Sequence, residues 1–401
     1  MVEEIAAFYE SKIYQIITNT FNHEFEYEYG GRIVARDAMG LADWMGNQDG
    51  KICILLLDIR DDYEKDVNDS YIAGYFWAGD LFTRSLSNPY SNKTDMVYID
   101  INPGSAGSTG FYSTIAHEMQ HLFNFATSVG IRADRNEAGN ITRYNEMDIW
   151  VNEGLSAAAE WMLTDRHPEG RWRWYNEDRS KQIRNGNNFF VWGNRRTENS
   201  QAILDDYATV YLFFQWLRLH FGGTEIFRQI FLSNYGDYRA VTSATDALGY
   251  SDWGNLLCAW LAANYINASS GIYGYKDESD LSKVKAPMAP ALVGDKLMSL
   301  YPGEGVYSLS IAGMNAPSAS GHINYAGLTR VENSGDVSSS VPPGGALLTY
   351  NANPNRSGKE ESGIVTGEAS AAAPGSGAKP ARSASEQLKG PFPVGMGESS
   401  R

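Results

Sequence analysis

The stretch Ala116-His117-Glu118-Met119-Gln120-His121 decides how this chain is read. It lies in a run, residues 111–125, whose apolar side chains recur at helical spacing and predict an amphipathic helix. On an α-helix, positions i and i+4 stand one above the other on the same face. His117 and His121 can therefore grip one metal ion while Glu118 points at a water beside it.

Two imidazoles are not enough for a hydrolytic zinc site, which needs three protein ligands and one open position. An H-x-x-G-x-x-H extension would require Gly at 124 and His at 127. The chain has Asn124 and Thr127, which excludes the metzincin arrangement. His23, His167, His220 and His322 read most simply as surface or capping residues. The better candidate is a second predicted helix over residues 148–164, which carries Glu153 and Glu160 seven positions apart and so on roughly one face. Gly154, Ser156, Ala157, Ala158 and Ala159 beside them permit close approach of another helix. A carboxylate at Glu153 is the candidate third ligand. Glu160, two turns on, is the candidate acceptor for the free ring nitrogen of a ligand histidine.

Composition narrows the classes. A chain of 401 residues with 43% hydrophobic and 12% aromatic side chains has material for two or three packed domains. A net charge of −15 argues against a nucleic-acid partner, because a phosphate backbone would be repelled. Cys53 and Cys258 are expected to be buried, unpaired thiols. No apolar run reaches membrane-spanning length. The opening residues Met1-Val2-Glu3-Glu4 lack the basic start and apolar core of a signal peptide, so the expectation is a cytosolic protein or a targeting segment outside this chain.

Working outward, residues 1–110 predict an α/β sheet subdomain. Ile5, Phe8, Tyr9, Ile13, Ile16, Ile17 and Phe21 recur at helical spacing, and residues 51–59, 71–77 and 95–101 form short strand-like runs. Residues 111–270 predict a helical subdomain, with further helices at 148–164, 207–221, 225–233 and 253–266. Within it, residues 165–205 read as a long polar loop whose Arg171-Trp172-Arg173-Trp174-Tyr175 offers aromatics to a cleft. Residues 271–350 predict a small β-rich appendage with strands near 306–312, 321–331 and 346–350. Residues 351–401, rich in Gly, Ser, Ala and Pro, are expected to be disordered.

The pairing of A-H-E-M-Q-H-L-F-N-F (116–125) with W-V-N-E-G-L-S-A-A-A-E (150–160) resembles the gluzincin metallopeptidases, where a helix bearing H-E-x-x-H is followed by one bearing N-E-x-x-[SA]. Among these it is most similar to the hyicolysin-like neutral zinc metallopeptidases. The runs Leu57-Asp58-Ile59, Ala73-Gly74-Tyr75-Phe76, residues 95–100 and residues 206–213 share in the likeness, which spans about residues 51–266. The resemblance implies an α+β, zincin-like (thermolysin-type) catalytic domain. Its parts would be an N-terminal mixed sheet, a helical lower half carrying the zinc ligands, and the small C-terminal β-rich appendage. It also implies His117, His121 and Glu153 as ligands of one catalytic Zn²⁺, with Glu118 as general base. Two departures matter. The 31 residues between His121 and Glu153 exceed the usual separation, so residues 127–147 should loop out, and no G-x-M-E-N motif lies upstream, which weakens an exopeptidase reading.

The expected activity is endoproteolysis of protein or peptide substrates, with a zinc aminopeptidase or a catalytically silent, metal-stabilised binding or adhesin module as alternatives. Tyr207 is the candidate second electrophile for the oxyanion, with Tyr211 or His220 behind it. The strand over 95–101 is expected to offer an exposed edge for an extended peptide. The resemblance implies a secreted or cell-envelope location, with a cytoplasmic one as the alternative.

Overall fold

A computed structural model describes residues 1–21, 27–29, 32–34, 45–47, 49–61, 63–67, 71–137, 141–143, 145–186, 189–192, 202–289, 297–355, 360–365 and 394–397. His23 lies outside them, as does most of the tail expected to be disordered. The chain is mixed α and β and divides into two compact units, each built from discontinuous segments. The first comprises residues 1–166, 224–244 and 387–401, and the second residues 167–223 and 245–386. The boundary expected after residue 110 therefore falls inside the first unit.

In the first unit the strand-like runs form one sheet. Its strands are β1 (Cys53–Leu57), β2 (Tyr71–Phe76), β3 (Met96–Asp100) and, from far along the chain, a strand at Val394–Gly397, in the order Val394–Gly397, β2, β3, β1. β3 runs parallel to β1, pairing Cys53 with Met96 through Leu57 with Asp100, and antiparallel to β2, pairing Gly74 with Ile99 and Phe76 with Val97. The exposed edge expected at residues 95–101 is thus corrected. β3 is buried at all five positions, because a strand flanked on both sides and covered on its faces takes apolar residues throughout. Cys53 also departs from expectation: its thiol is free but exposed, on the outer strand β1, and Cys258 is free and half-buried.

Two helices lie at the heart of this unit, α1 (Thr109–Thr127) and α2 (Ile149–Thr164). Ser108 caps α1 by accepting from the Phe111 N–H at 3.2 Å, satisfying one of the donors that a helix start leaves orphaned. Asp165, left-handed at φ 50°, ends α2. The residues between them include a short hairpin of Asp134–Arg135 against Ile141–Arg143. The helical run at the N-terminus buries Ile5, Ile13, Ile17 and Phe21, and Phe8 stacks on Tyr112 at 3.9 Å. Arg132, buried just past α1, reaches the Phe231 carbonyl at 3.0 Å and Asn124 Oδ1 at 2.7 Å. It thereby ties α1 to the helix Glu225–Phe231, where the chain has returned to this unit.

The second unit corrects the expected loop over 165–205. Residues Glu169–Glu177 form a helix, α3, in which Arg173 lies 2.9 Å from Glu169 and 3.4 Å from Glu177, each four positions away. Trp172, Trp174 and Tyr175 are buried, so these aromatics are core. The helix expected from 207 begins earlier, at Ala202, and runs to His220 as α4. His167 is not a surface residue. It is buried, with Nδ1 2.6 Å from the Tyr211 hydroxyl and Nε2 2.6 Å from Glu278, which also pairs with Arg218. Burial opposes charge on Glu278, but His167 and Arg218 outweigh it and hold its pKa below the usual carboxylate value. The C-terminal strands form a five-stranded sheet in the order Ser334–Ser338, Ile323–Val331, Ala346–Asn351, Gly305–Leu309, Met288–Ala289. The strands expected as an appendage share a core with the helix Trp253–Ile266: Tyr307 donates to the Leu261 carbonyl at 2.8 Å and stacks on Tyr265. Within residues 351–401, Glu360–Val365 and Val394–Gly397 are strands.

Candidate metal centre

The amphipathic face of α1 and the small-residue face of α2 bring the candidate site together within the first unit. His117, Glu118 and His121 are 2%, 0% and 4% exposed and Glu153 is 5% exposed, so every charge here stands in a dry environment. One ligand atom from each of His117, His121 and Glu153 lies within 4.8 Å of the others. His117 Nε2 stands 3.3 Å from Glu153 Oε2, and His121 Nε2 stands 3.7 Å from the same oxygen.

These separations discriminate between a hydrogen-bonded cluster and a cation site. His117 Nε2 and Glu153 Oε2 are buried, yet neither makes a hydrogen bond despite their proximity. Buried polar atoms without partners are costly, and native proteins rarely tolerate them. Two donors about 2.0–2.1 Å from a tetrahedral zinc would stand roughly 3.3–3.4 Å apart. The residues present fit that ion.

Each candidate ring is held from behind. His117 Nδ1 lies 2.6 Å from Glu160 Oε1, so one imidazole spans the two carboxylates that the sequence places seven residues apart on α2. His121 Nδ1 lies 3.1 Å from Ser156 Oγ, whose proton goes to Gln120 Oε1. Asn152, at the start of the same helical face, bonds Asn124 on α1 and so links the site to the buried Arg132. Burial alone would lower the pKa of His117, but Glu153 and Glu160 reverse it and raise the imidazole to about 10 without a metal. Burial dominates at His121 and pushes it down to about 4. A metal ion would take the place of the proton that His117 otherwise keeps.

Glu118 differs from the others. Both its carboxylate oxygens are buried without a well-formed hydrogen bond, and the Phe76 backbone on β2 is the backbone group that favours its charged form. Burial raises its pKa well above the usual carboxylate value, with His117 pulling it down and Glu153 and Glu160 adding to the rise. Strand β2 passes close to it: a Cβ built on Gly74 would lie 3.3 Å from Glu118 Cγ and 2.8 Å from both Thr114 Cγ2 and the Tyr98 carbonyl oxygen. Only glycine lets the strand run there.

Tyr207 belongs to the second unit. It is 2% exposed on α4, with the Arg171 guanidinium 5.0 Å from its ring centre and the Trp192 ring 5.0 Å away edge-on. Of its alternatives, Tyr211 bonds His167, and His220 Nε2 bonds the Gly274 carbonyl at 2.8 Å, with burial holding its pKa at about 4. The sequence reading missed Ser156 and Gly74. Ser156 was visible as the last position of N-E-x-x-S, whereas Gly74 gave no signal outside the strand that carries it.

No protein-family model matches the chain. A similarity does extend to the neutral metalloprotease ShpI of Staphylococcus hyicus, with 33% identity over 191 residues, 46% of this chain. This chain is similar to the hyicolysin-like neutral metallopeptidases. The match spans 39% of the length of the staphylococcal protein.

The Glu160 contact makes a quantitative prediction. Replacing it with Gln keeps shape but removes the charge that orients and polarises His117, and losing such a partner costs about 10–100-fold in metal affinity or activity. Competition with a chromophoric chelator would measure it. An affinity equal to that of the unaltered chain would show that Glu160 does not support the site.

Proposed function

We propose that this chain is a zinc-dependent endopeptidase with a zincin-like catalytic fold. The observation that carries the reading is a buried His117, His121 and Glu153 group with the buried carboxylate of Glu118 beside it. The similarity to a neutral metalloprotease supports the same chemistry. His117, His121 and Glu153 would hold the ion, which supplies Lewis acidity that activates water and polarises a scissile carbonyl. Glu118, buried and raised in pKa, accepts the water proton and delivers it to the leaving amine. Glu160 and Ser156 keep the ligand rings in one orientation. Tyr207, near the start of an apolar helix, is retained as the proposed oxyanion donor. An exported location belongs to the same proposal. Among the described residues no helix is long and apolar enough to cross a membrane.

The test is digestion of a denatured protein mixture, followed by mass spectrometry of the products and metal analysis of the purified chain. About one zinc per chain and chelator-sensitive internal cuts are the expected result. Removal of N-terminal residues only would favour the aminopeptidase, and retained zinc without any cleavage would favour a binding module.

A further inference from the structure

The sheet of the first unit carries an occupant where a peptide would be expected. With β3 and β1 on one side, β2 is the strand nearest Glu118, since Gly74 packs against that side chain. The position alongside β2, away from β3, is therefore where an extended chain adding by main-chain hydrogen bonds comes closest to the base. In this structure that position is filled by the chain's own residues Val394–Gly397, which we label β4. β4 runs antiparallel to β2, with Val394 opposite Gly74, Met396 opposite Ile72 and Gly397 opposite Tyr71. Its first residue thus faces the very glycine that touches Glu118.

Its sequence is poorly suited to a permanent strand. Two of its four residues are glycine, which weakens a strand through lost entropy and absent side-chain packing, and Pro391 and Pro393 precede it. A glycine-rich strand has a weakly specified register. Those are the properties of an occupant that can be displaced.

We propose that residues 394–397 are a tethered competitor that fills the strand-addition edge of β2 in cis, so that a peptide substrate must displace them. The proposal rests on the peptidase reading for what is displaced, but not for the docking itself. A tether gives the segment an effective concentration on the order of mM, enough to compete with substrates that bind the same edge modestly.

The test uses the metal-loaded full chain, a chain ending at Glu386, and the full chain carrying Gly395→Pro and Met396→Pro together. Alternate residues of a strand turn their N–H groups to the same neighbour, so the double proline removes a ladder donor whichever residue supplies it. A fluorescent peptide of residues 389–398 is expected to bind the shortened chain and the double-proline chain by anisotropy, and the unaltered chain at least about tenfold more weakly. With a quenched-fluorescence peptide substrate, both variants should show KM lowered about tenfold and kcat unchanged. Equal binding of the labelled peptide to all three chains, or binding to none, overturns the proposal. If the shortened chain fails to fold, the double-proline chain decides. Absence of hydrolysis in every chain would count against the peptidase reading, and the anisotropy measurement would still decide the docking.

Discussion

Glu118→Gln is expected to lower kcat/KM by about 10²–10⁴-fold, the range that a positioned general base contributes, while leaving one metal ion per chain. The two effects separate because Glu118 is not among the three groups whose ligand atoms converge. The His117 and His121 rings are oriented by Glu160 and Ser156, which the substitution leaves in place. Gln fills the same volume, so the close pass of β2 over residue 118 is unchanged. In the metal-free chain the variant should be about as stable as the parent, because burial holds Glu118 toward its neutral form and Gln is a neutral group of the same shape. Steady-state kinetics, metal analysis and thermal melts measure the three quantities. Undiminished turnover would remove Glu118 from the chemistry, and loss of the metal would make it a ligand.

Glu153→Ala is expected to abolish both metal binding and the stabilisation that metal confers. A ligand present at about 1,000 times its dissociation constant stabilises the folded state by about 4 kcal/mol. For a unit of this size that corresponds to roughly 10 °C in Tm. The parent should therefore lose about that much when a chelator is added, and the Ala variant should melt at the same temperature with or without chelator. A chelator shift of parental size in the variant would show that Glu153 is not needed to hold the ion.

The parts of the site that could be read from sequence are those fixed by helical periodicity. His117 and His121 share a face because of their spacing, and the seven-residue interval from Glu153 to Glu160 set both carboxylates against one imidazole. The small residues of α2 announced a close helix contact, and Glu153, Gly154, Ser156, Ala157, Ala158 and Ala159 are all buried there. What could not be read depends on lateral order and on contacts distant in sequence. A strand buried on both faces and an edge strand can share the same apolar composition, so composition does not show that the strand at Met96–Asp100 lies inside the sheet. Residues 169–177 looked like a loop because their helix is stabilised by Arg–Glu pairs and buried tryptophans rather than by a simple apolar stripe. Four residues of a Gly- and Pro-rich tail gave no hint that they pair with β2, because backbone pairing leaves almost no mark on composition.

The path of the chain through the two units has a consequence for the order in which the molecule is made. His117, His121 and Glu153 have all been translated before the chain crosses out of the first unit after Arg166. Of the acceptors of the buried Arg132 guanidinium, Asn124 and Ser128 precede it, whereas the carbonyls of Phe231 and Ser233 follow only after the chain has passed through residues 167–223 and returned. A nascent chain thus carries these candidate ligands, with Glu160 and Ser156 behind them, for some seconds before Arg132 can reach the helix Glu225–Phe231, at the roughly 5–20 residues per second of synthesis. The strand alongside β2 is translated later still. The candidate ligands come first, the tie from Arg132 to the helix Glu225–Phe231 second and the strand beside β2 last, so that edge of β2 stays open longest.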